Sequence, residues 1–190
     1  MREIAIPING RRFAALLQKP RATSGIVVVL HDTGVDRHDA QDRRIVARLR
    51  AARFATLQPE LLDRREALER HDAFDVEFQC SRLLEVLRWL HAAPWAQGLP
   101  LGLFATGIAT SVALLAAAKR PREVGAVVCR DGRPDCCLWS LPQVSAATLL
   151  LVEQDGWPYR HVYESLHCEK EMKVVVADAV AEWMRRVYGA

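Results

Sequence analysis

The sequence predicts a single-domain α/β protein with a doubly wound, mostly parallel sheet that opens with an antiparallel hairpin. The first residues form two strand-like runs around Asn9-Gly10, the dipeptide that most favours a two-residue hairpin turn. After them, apolar runs of strand length alternate with helical patterns, as in a parallel sheet covered by helices. The chain has 190 residues, and 51% of them are hydrophobic, which suffices for one core. We therefore expect one domain over residues 1–190.

The individual elements follow in chain order from these patterns. The hairpin strands are expected at residues 3–8 and 11–17. Six further strands are expected where apolar residues run together, at residues 25–30, 54–57, 101–105, 124–129, 147–152 and 172–176. Five helices are expected from helical spacing and stop signals, at residues 39–52, 74–92, 108–119, 159–168 and 179–188. Residues 63–72 have mixed helical character, and residues 130–145, rich in Pro, Asp, Gly and Cys, are expected to form a loop.

Composition excludes several classes of function. The net charge is +3, but acidic and basic residues alternate along the helices, as on a solvated face, so we expect no nucleic-acid partner. No apolar run reaches the ~18 residues of a membrane helix, and no signal-peptide pattern opens the chain, so we expect a cytoplasmic protein without membrane contact. The five cysteines show no ligand spacing, so we expect reduced thiols and no metal. No cofactor motif is present.

Ligands of a parallel sheet bind outside the carboxyl ends of its strands, so the strand–helix junctions are the candidate sites. His31-Asp32-Thr33-Gly34 follows the first buried strand. Its backbone could bind an anion, or His31 could act as an acid or base. The simpler interpretation is a turn in which Asp32 or Thr33 bonds the local backbone.

A second junction runs from Phe104 to Ser111 and contains Thr106, Gly107 and Ile108. A glycine tolerates a positive φ at such a sharp turn, and the following helix start offers N–H groups to an anion. A phosphate-binding loop is excluded, because Ile108 stands where that motif needs lysine. A tight turn without further function is again the simpler interpretation.

Two further junctions carry polar residues. Cys136 and Cys137 are adjacent and unsuited to sharing one metal, but Arg133 could lower a thiol pKa and support redox sensing. Glu153-Gln154-Asp155-Gly156 follows the next strand. Its Asp155 could orient a histidine, although Asp-Gly is also an ordinary turn signal.

Taken together, five blocks resemble the α/β-hydrolase superfamily, and most closely its dienelactone-hydrolase-like branch, sometimes joined or adjacent to phosphoribosyltransferases. The resemblance covers nearly the whole chain and implies a minimal α/β-hydrolase fold without a lid. The blocks are Gly25–Gly34, Leu99–Phe104 with Val112–Ala118, Gly132–Asp135, Thr148–Val152 and Cys168–Lys170.

The resemblance also predicts what the site lacks. The family's nucleophile elbow, G-x-S-x-G, corresponds to Ala105–Ala109, which places Gly107 at the nucleophile position. Dienelactone hydrolases use cysteine there. Thr106 is expected to point away, and Thr110 and Ser111 are expected to bond the helix backbone four residues earlier.

The family's histidine lies in a loop between the last strand and the last helix. Here Val174–Ala177 continues through Asp178 directly into the helix, and no histidine follows His167. His161 and His167 are expected on the preceding helix. Asp155 falls at the position of the family's catalytic acid or one residue from it. The acid of the catalytic triad could therefore persist here without the histidine and the nucleophile that it would orient.

Three functional hypotheses follow. The leading one is a homologue without hydrolase activity, with a binding, regulatory or structural role, alone or as a homodimer. Its remaining pocket would hold a small anionic or ester-like ligand on the N–H of Ile108 and the Asp32-Thr33 turn. The alternative is a hydrolase of small carboxylic esters whose site is rearranged around His31 and Asp155, or completed by a partner. The third is a cysteine-based redox function.

Overall fold

A computed structural model describes residues 2–31, 40–152, 159–174 and 178–189. It contains an eight-stranded sheet in the order β1-β2-β4-β3-β5-β6-β7-β8. The strands are β1 (Arg2–Ile8), β2 (Arg11–Gln18), β3 (Gly25–Leu30), β4 (Phe54–Pro59), β5 (Leu101–Gly107), β6 (Val124–Gly132), β7 (Ala147–Val152) and β8 (Lys170–Val174). The helices are α1 (Ala40–Ala51), α2 (Arg70–Phe74), α3 (Val76–Ala92), α4 (Ala109–Lys119), α5 (Arg160–Ser165) and α6 (Ala179–Tyr188).

The predicted fold class is confirmed. Strands β1 and β2 form the antiparallel hairpin, and their turn residues Asn9 and Gly10 both have positive φ, 48° and 77°, as the favoured hairpin turn requires. β2 then pairs antiparallel with β4, and the other neighbours pair parallel. Within the described residues, every helix is too short or too polar to cross a bilayer.

The sheet separates two apolar clusters. The larger lies on the side covered by α3, α4 and α5. The smaller lies on the side covered by α1 and α6. Because β3 has β4 on one side and β5 on the other, the connections leaving β3 and β5 run to opposite faces. The sheet therefore has its topological switch point between these two strands, where ligands of doubly wound sheets bind.

The segment expected as a loop, residues 130–145, is more regular than its composition suggests. β6 continues to Gly132, and Pro134–Gln143 forms a 3₁₀ helix with a kink at Cys137. Short-range bonds stabilise it, from Cys137 Sγ to Pro134 O at 3.3 Å and from Ser140 Oγ to Cys137 O at 2.8 Å. Because this helix packs against α4, tertiary contact overrides its turn-rich composition.

The helix expected at residues 159–168 is shorter in the structure. α5 ends at Ser165, and β8 already begins at Lys170. Lys170 Nζ donates to the carbonyl oxygens of Tyr163 and Leu166, both at 2.6 Å, and so holds the end of this helix. His161 lies on α5 as expected, whereas His167 lies beyond its end.

The mixed segment after β4 contains a 3₁₀ helix, Glu66–Leu68, and α2. A buried ion pair ties it to the body of the protein. The Arg82 guanidinium donates to Glu66 Oε2 at 2.6 Å and Oε1 at 2.8 Å, and to Leu61 O at 2.7 Å. It also packs against the rings of Phe13 and Phe78. The hydrogen bond from Arg82 lowers the pKa of Glu66 to about 2.

We predict that Glu66→Gln lowers the free energy of unfolding at pH 7 by about 3 kcal/mol, because it leaves a buried guanidinium without its counter-charge. Since the folded pKa of Glu66 is depressed, the ionised carboxylate stabilises the wild type above its unfolded value of about 4.5. That contribution disappears as pH falls towards about 2. Urea titrations between pH 7 and pH 2 measure both effects.

Glu85→Gln is the matched control, because Glu85 pairs with Arg88 on the surface of α3. Exposed pairs of this kind contribute about 0.5 kcal/mol. Equal losses in the two variants would contradict the assignment of the Arg82–Glu66 pair as the anchor of this segment.

Candidate functional site

In doubly wound sheets ligands bind in the crevice outside the carboxyl ends of the strands at the switch point, which here are β3 and β5. His31 directly follows β3, and Thr106 and Gly107 are the last two residues of β5. The structure therefore brings these predicted site residues to one edge of the sheet, with Ile108 immediately after them. The other predicted site residues, Asp32, Thr33, Gly34 and Asp155, lie outside the described residues.

Gly107 forms the sharp turn between β5 and α4. Its φ is 60°, in the left-handed region that glycine enters without steric cost. Ile108 is already in the right-handed helical region, and α4 begins at Ala109. The backbone therefore has the strand–turn–helix form of a nucleophile elbow, with a residue at its apex that carries no side chain.

The two nearby hydroxyls are engaged by the backbone. Thr110 Oγ1 donates to Gly107 O at 2.8 Å and accepts from the N–H of Arg133 at 3.1 Å. Ser111 Oγ donates to the carbonyl oxygen of Arg133. The expectation of bonds four residues earlier is therefore wrong for both, because Thr110 reaches back three residues and Ser111 bonds another segment. Both side chains are fully buried.

The end of β6 holds the elbow in place. The Arg133 N–H donates to Gly107 O at 3.2 Å. Gly132 lies opposite Gly107 in the β5–β6 ladder, and a Cβ added at Gly132 would approach Gly107 O to 2.2 Å. Tyr159 closes this contact by donating its hydroxyl to Gly132 O at 3.1 Å. Burial raises the pKa of Tyr159 to about 12, so its hydroxyl stays neutral and can donate.

Four neighbouring strands contribute a polar row on the α1/α6 side of the sheet. Side chains alternate along a strand, and in β6 Ala126 and Val128 belong to the cluster under α1 and α6, which places Arg130 on the same side. In β5, Phe104 belongs to the same cluster, so Thr106, two residues later, also lies on the α1/α6 side. The polar row consists of Gln58 of β4, His31 after β3, Thr106 of β5 and Arg130 of β6.

The polar row is mostly buried, with Gln58 5%, Thr106 7% and Arg130 9% exposed. His31 Nε2 lies 3.3 Å from Gln58 Oε1, and Thr106 pairs with Arg130 in the ladder. The Arg130 guanidinium lies 5.9 Å from the ring centre of Phe104, and its Nε lies 3.8 Å from the Asp131 carboxylate. Sequence reasoning missed Gln58 and Arg130. The available signal was a polar residue at the end of an apolar strand.

Comparison with solved structures identifies the family. A crystal structure of dienelactone hydrolase from Anabaena variabilis is 30% identical, with a TM-score of 0.89, and the match covers 99% of this chain and 96% of that one. The chain belongs to the dienelactone hydrolase family. Est1E from Butyrivibrio proteoclasticus shares the fold, with a TM-score of 0.81 at 11% identity and 99% coverage of both chains. No family model matches the sequence.

A curated relative from Mycobacterium tuberculosis, provisionally named a phosphoribosyl transferase, is 41% identical over 147 residues. The match covers 77% of this chain and 32% of that protein. This dienelactone hydrolase family chain therefore spans about a third of the length of the curated relatives it matches.

The family's histidine is expected between the last strand and the last helix. Between Val174, the last described residue of β8, and the start of α6 the sequence has four residues, 175–178, and none is histidine. The last of them, Asp178, pairs with Arg48 of α1 at 3.0 Å. His161 on α5 is 80% exposed at its side chain and lies 3.8 Å from Glu164, and His167 is also exposed.

The surroundings of four cysteines in this family member raise the pKa of the thiol and do not activate it. Burial raises the pKa of Cys137 to about 11 and of Cys80 to about 12, and raises that of Cys129 further. Burial and Asp135 also raise the pKa of Cys136, outweighing the opposite effect of Arg133. Arg133 is itself held by Asp135 through two bonds of 2.9 Å. The geometry therefore disfavours the redox hypothesis.

We predict that Cys80, Cys129 and Cys137 of the folded protein resist iodoacetamide at pH 7, because they are buried thiols rather than thiolates. Cys136 should react more slowly than free glutathione and accelerate as pH rises. Mass spectrometry of the alkylated protein measures each site, with the protein unfolded in urea as the fully labelled control. Rapid labelling of Cys136 or Cys137 at pH 7 would restore the redox hypothesis.

Proposed function

We propose that this member of the dienelactone hydrolase family binds a small ligand in the crevice between β3 and β5 and does not hydrolyse esters. The observation that carries the proposal is Gly107 at the apex of the elbow. Nucleophilic catalysis requires an attacking atom held at that turn. Glycine supplies none, while its positive φ keeps the turn and the crevice in shape.

The surroundings of the elbow support this proposal. Thr110 and Ser111, the nearest hydroxyls on α4, are already hydrogen-bonded to the backbone of Gly107 and Arg133. A hydroxyl also needs a base within hydrogen-bond reach. The four-residue connection before α6 contains no histidine to serve as one.

The binding part of the proposal relies on the position of the crevice. It lies at the topological switch point, and α4 begins directly behind it at Ala109. The N–H of Ile108 directly follows the turn at Gly107, as the N–H of the residue after the nucleophile does in the oxyanion hole of this fold. It would bind a small polar group without any covalent step.

The competing function is hydrolysis of small carboxylic esters by a rearranged or partner-completed site. Its candidate base is His31, and the observation in its favour is that His31 lies at the crevice. One described neighbour of the His31 ring is Gln58, whose amide oxygen lies 3.3 Å from Nε2.

We predict that the wild type releases no more than one equivalent of p-nitrophenol from p-nitrophenyl acetate, because Gly107, at the apex of the elbow, carries no side chain to act as a nucleophile. The dienelactone hydrolase of Anabaena variabilis serves as the comparison enzyme in the same absorbance assay. Gly107→Ser should also fail to turn over, because it restores a hydroxyl without a base. Multiple turnover by the wild type that His31→Gln abolishes would establish the rearranged hydrolase instead.

A homodimer and a cytoplasmic location stay predictions of the sequence analysis. Sedimentation velocity measures the first directly.

A further inference from the structure

Strand β8 forms one edge of the sheet, and within the described residues it has a neighbouring strand on one side only, β7. The opposite edge strand, β1, contains Pro7, which has no N–H to offer to a further strand. β8 contains neither proline nor glycine over Lys170–Val174. Such an edge keeps a complete row of backbone donors and acceptors with which another chain can pair.

The register against β7 determines which backbone groups of β8 point outward. The two strands are parallel, with Thr148 beside Lys170, and the Thr148 N–H donates to the Glu169 carbonyl oxygen at 2.8 Å. The backbone groups of successive residues point to opposite sides of a strand. Those of the odd-numbered residues therefore face β7. Those of the even-numbered residues face the open edge, namely Lys170, Met172 and Val174.

We propose that two copies of this chain pair through β8, antiparallel and with the two-fold axis at Met172, so that their sheets join into one. In this register the two Met172 residues lie opposite each other, and Lys170 lies opposite Val174 of the second copy. All three residues have an N–H, so each forms a hydrogen-bonded pair with its counterpart. A two-fold axis is the usual symmetry of a homodimer. This inference is independent of the proposed ligand-binding function.

The charges beside the edge are self-complementary in this register. Glu171 lies on the α6 side of β8, where Arg186 contacts it at 2.8 Å, and Lys173 Nζ lies 2.8 Å from its carboxylate. The hydrogen bond from Lys173 lowers the pKa of Glu171, so the carboxylate is charged at neutral pH. Pairing about Met172 places Glu171 of each copy opposite Lys173 of the other. These are non-hydrogen-bonded pairs, in which side chains approach most closely.

The same two charges disfavour other registers. A shift of the pairing by two residues places Glu171 opposite Glu171 in one direction, or Lys173 opposite Lys173 in the other. Like charges directly opposite each other are destabilising. The charge pattern therefore selects the register that is centred on Met172.

The lysines of β8 do not protect this edge. A lysine on an edge strand commonly prevents pairing. Lys170 Nζ is instead directed to α5, where it donates to the carbonyl oxygens of Tyr163 and Leu166. The charge of Lys173 is compensated by Glu171. Both lysines are thus compatible with a second strand beside β8.

Sedimentation velocity of the wild type tests the dimer. We expect a species of twice 21.3 kDa that forms at micromolar concentrations, because a contact along one strand is small for a protein interface. A wild type that stays monomeric throughout the micromolar range overturns the inference and leaves the edge to a partner of another kind.

Charge reversal tests the register. Lys173→Glu and Glu171→Lys should each raise the dissociation constant of the dimer by roughly tenfold, because each turns two attractive cross-strand pairs into repulsive ones. Lys119→Glu is the matched control, since Lys119 forms a similar surface pair with Glu77 between α4 and α3, and it should leave the constant unchanged. Wild-type dissociation constants in both folded β8 variants contradict the proposed register.

Mixing the two β8 variants separates pairing from folding. One has only basic residues at the two positions and the other only acidic residues, so an equimolar mixture should form a heterodimer with the affinity of the wild type. A destabilised fold would not be rescued by mixing. A mixture that dimerises no better than its components overturns the inference.

Hydrogen exchange of the wild type, resolved by NMR, locates the interface without any substitution. The amides of Lys170, Met172 and Val174 should exchange more slowly as the protein concentration rises, because they donate to the second copy. The amides of Glu171 and Lys173 are the internal control, since they donate to β7 and should be protected at every concentration. A dimer that leaves the outward-facing amides unprotected uses another surface and overturns the inference. This measurement decides if a charge variant fails to fold.

Discussion

The candidate site depends on one backbone turn, at Gly107, where β5 ends and α4 begins. A φ of 60° costs an ordinary L-residue about 1–2 kcal/mol, because its Cβ crowds the following carbonyl. Glycine has no Cβ and adopts the turn without this cost. The turn places the start of α4 at the carboxyl edge of the sheet and opens the crevice beside β3. Every other contact of the candidate site is arranged around it.

The surrounding contacts hold the turn without help from a catalytic side chain. The carbonyl oxygen of Gly107 accepts from Thr110 and from the backbone of Arg133. Gly132 allows the two strands to approach this closely, and Tyr159, the residue before α5, stabilises the contact through its hydrogen bond to Gly132 O. A hydrolase of this fold keeps a side chain at the strained apex because its chemistry needs one. Here a glycine forms the same turn without strain.

The polar row has a different energetic character. Burying polar groups costs free energy unless they are hydrogen-bonded, whereas apolar residues in the same places would add to the core. The buried Arg82 guanidinium is compensated in this way. It forms two hydrogen bonds to the Glu66 carboxylate and one to the carbonyl oxygen of Leu61. Arg130 lies at the end of β6, near the Asp131 carboxylate and the ring of Phe104.

Much of this protein was predictable from local sequence. Asn9-Gly10, the buried run at β3 and the small-residue helix α4 predicted the hairpin, the parallel sheet and the junction at Gly107, because side-chain periodicity and turn preference act over a few residues. That residue 107 is a glycine and that no histidine follows His167 could also be read from the sequence, since both are facts about residue identity. The regular structure of residues 134–143 was not, because packing on α4 decides it.

Only the tertiary structure decided which residues share the crevice. Gln58, His31, Thr106 and Arg130 come from four strands, and nothing in the local pattern of one strand specifies its register against the next. The same holds for Arg82 and Glu66, which meet across 16 residues. The sequence determined by itself that a glycine stands at the turn after β5. The tertiary structure decided the conformation of the turn at Gly107 and the position of Arg130 beside it. Both depend on contacts between distant segments, because the sheet as a whole sets the geometry of those contacts.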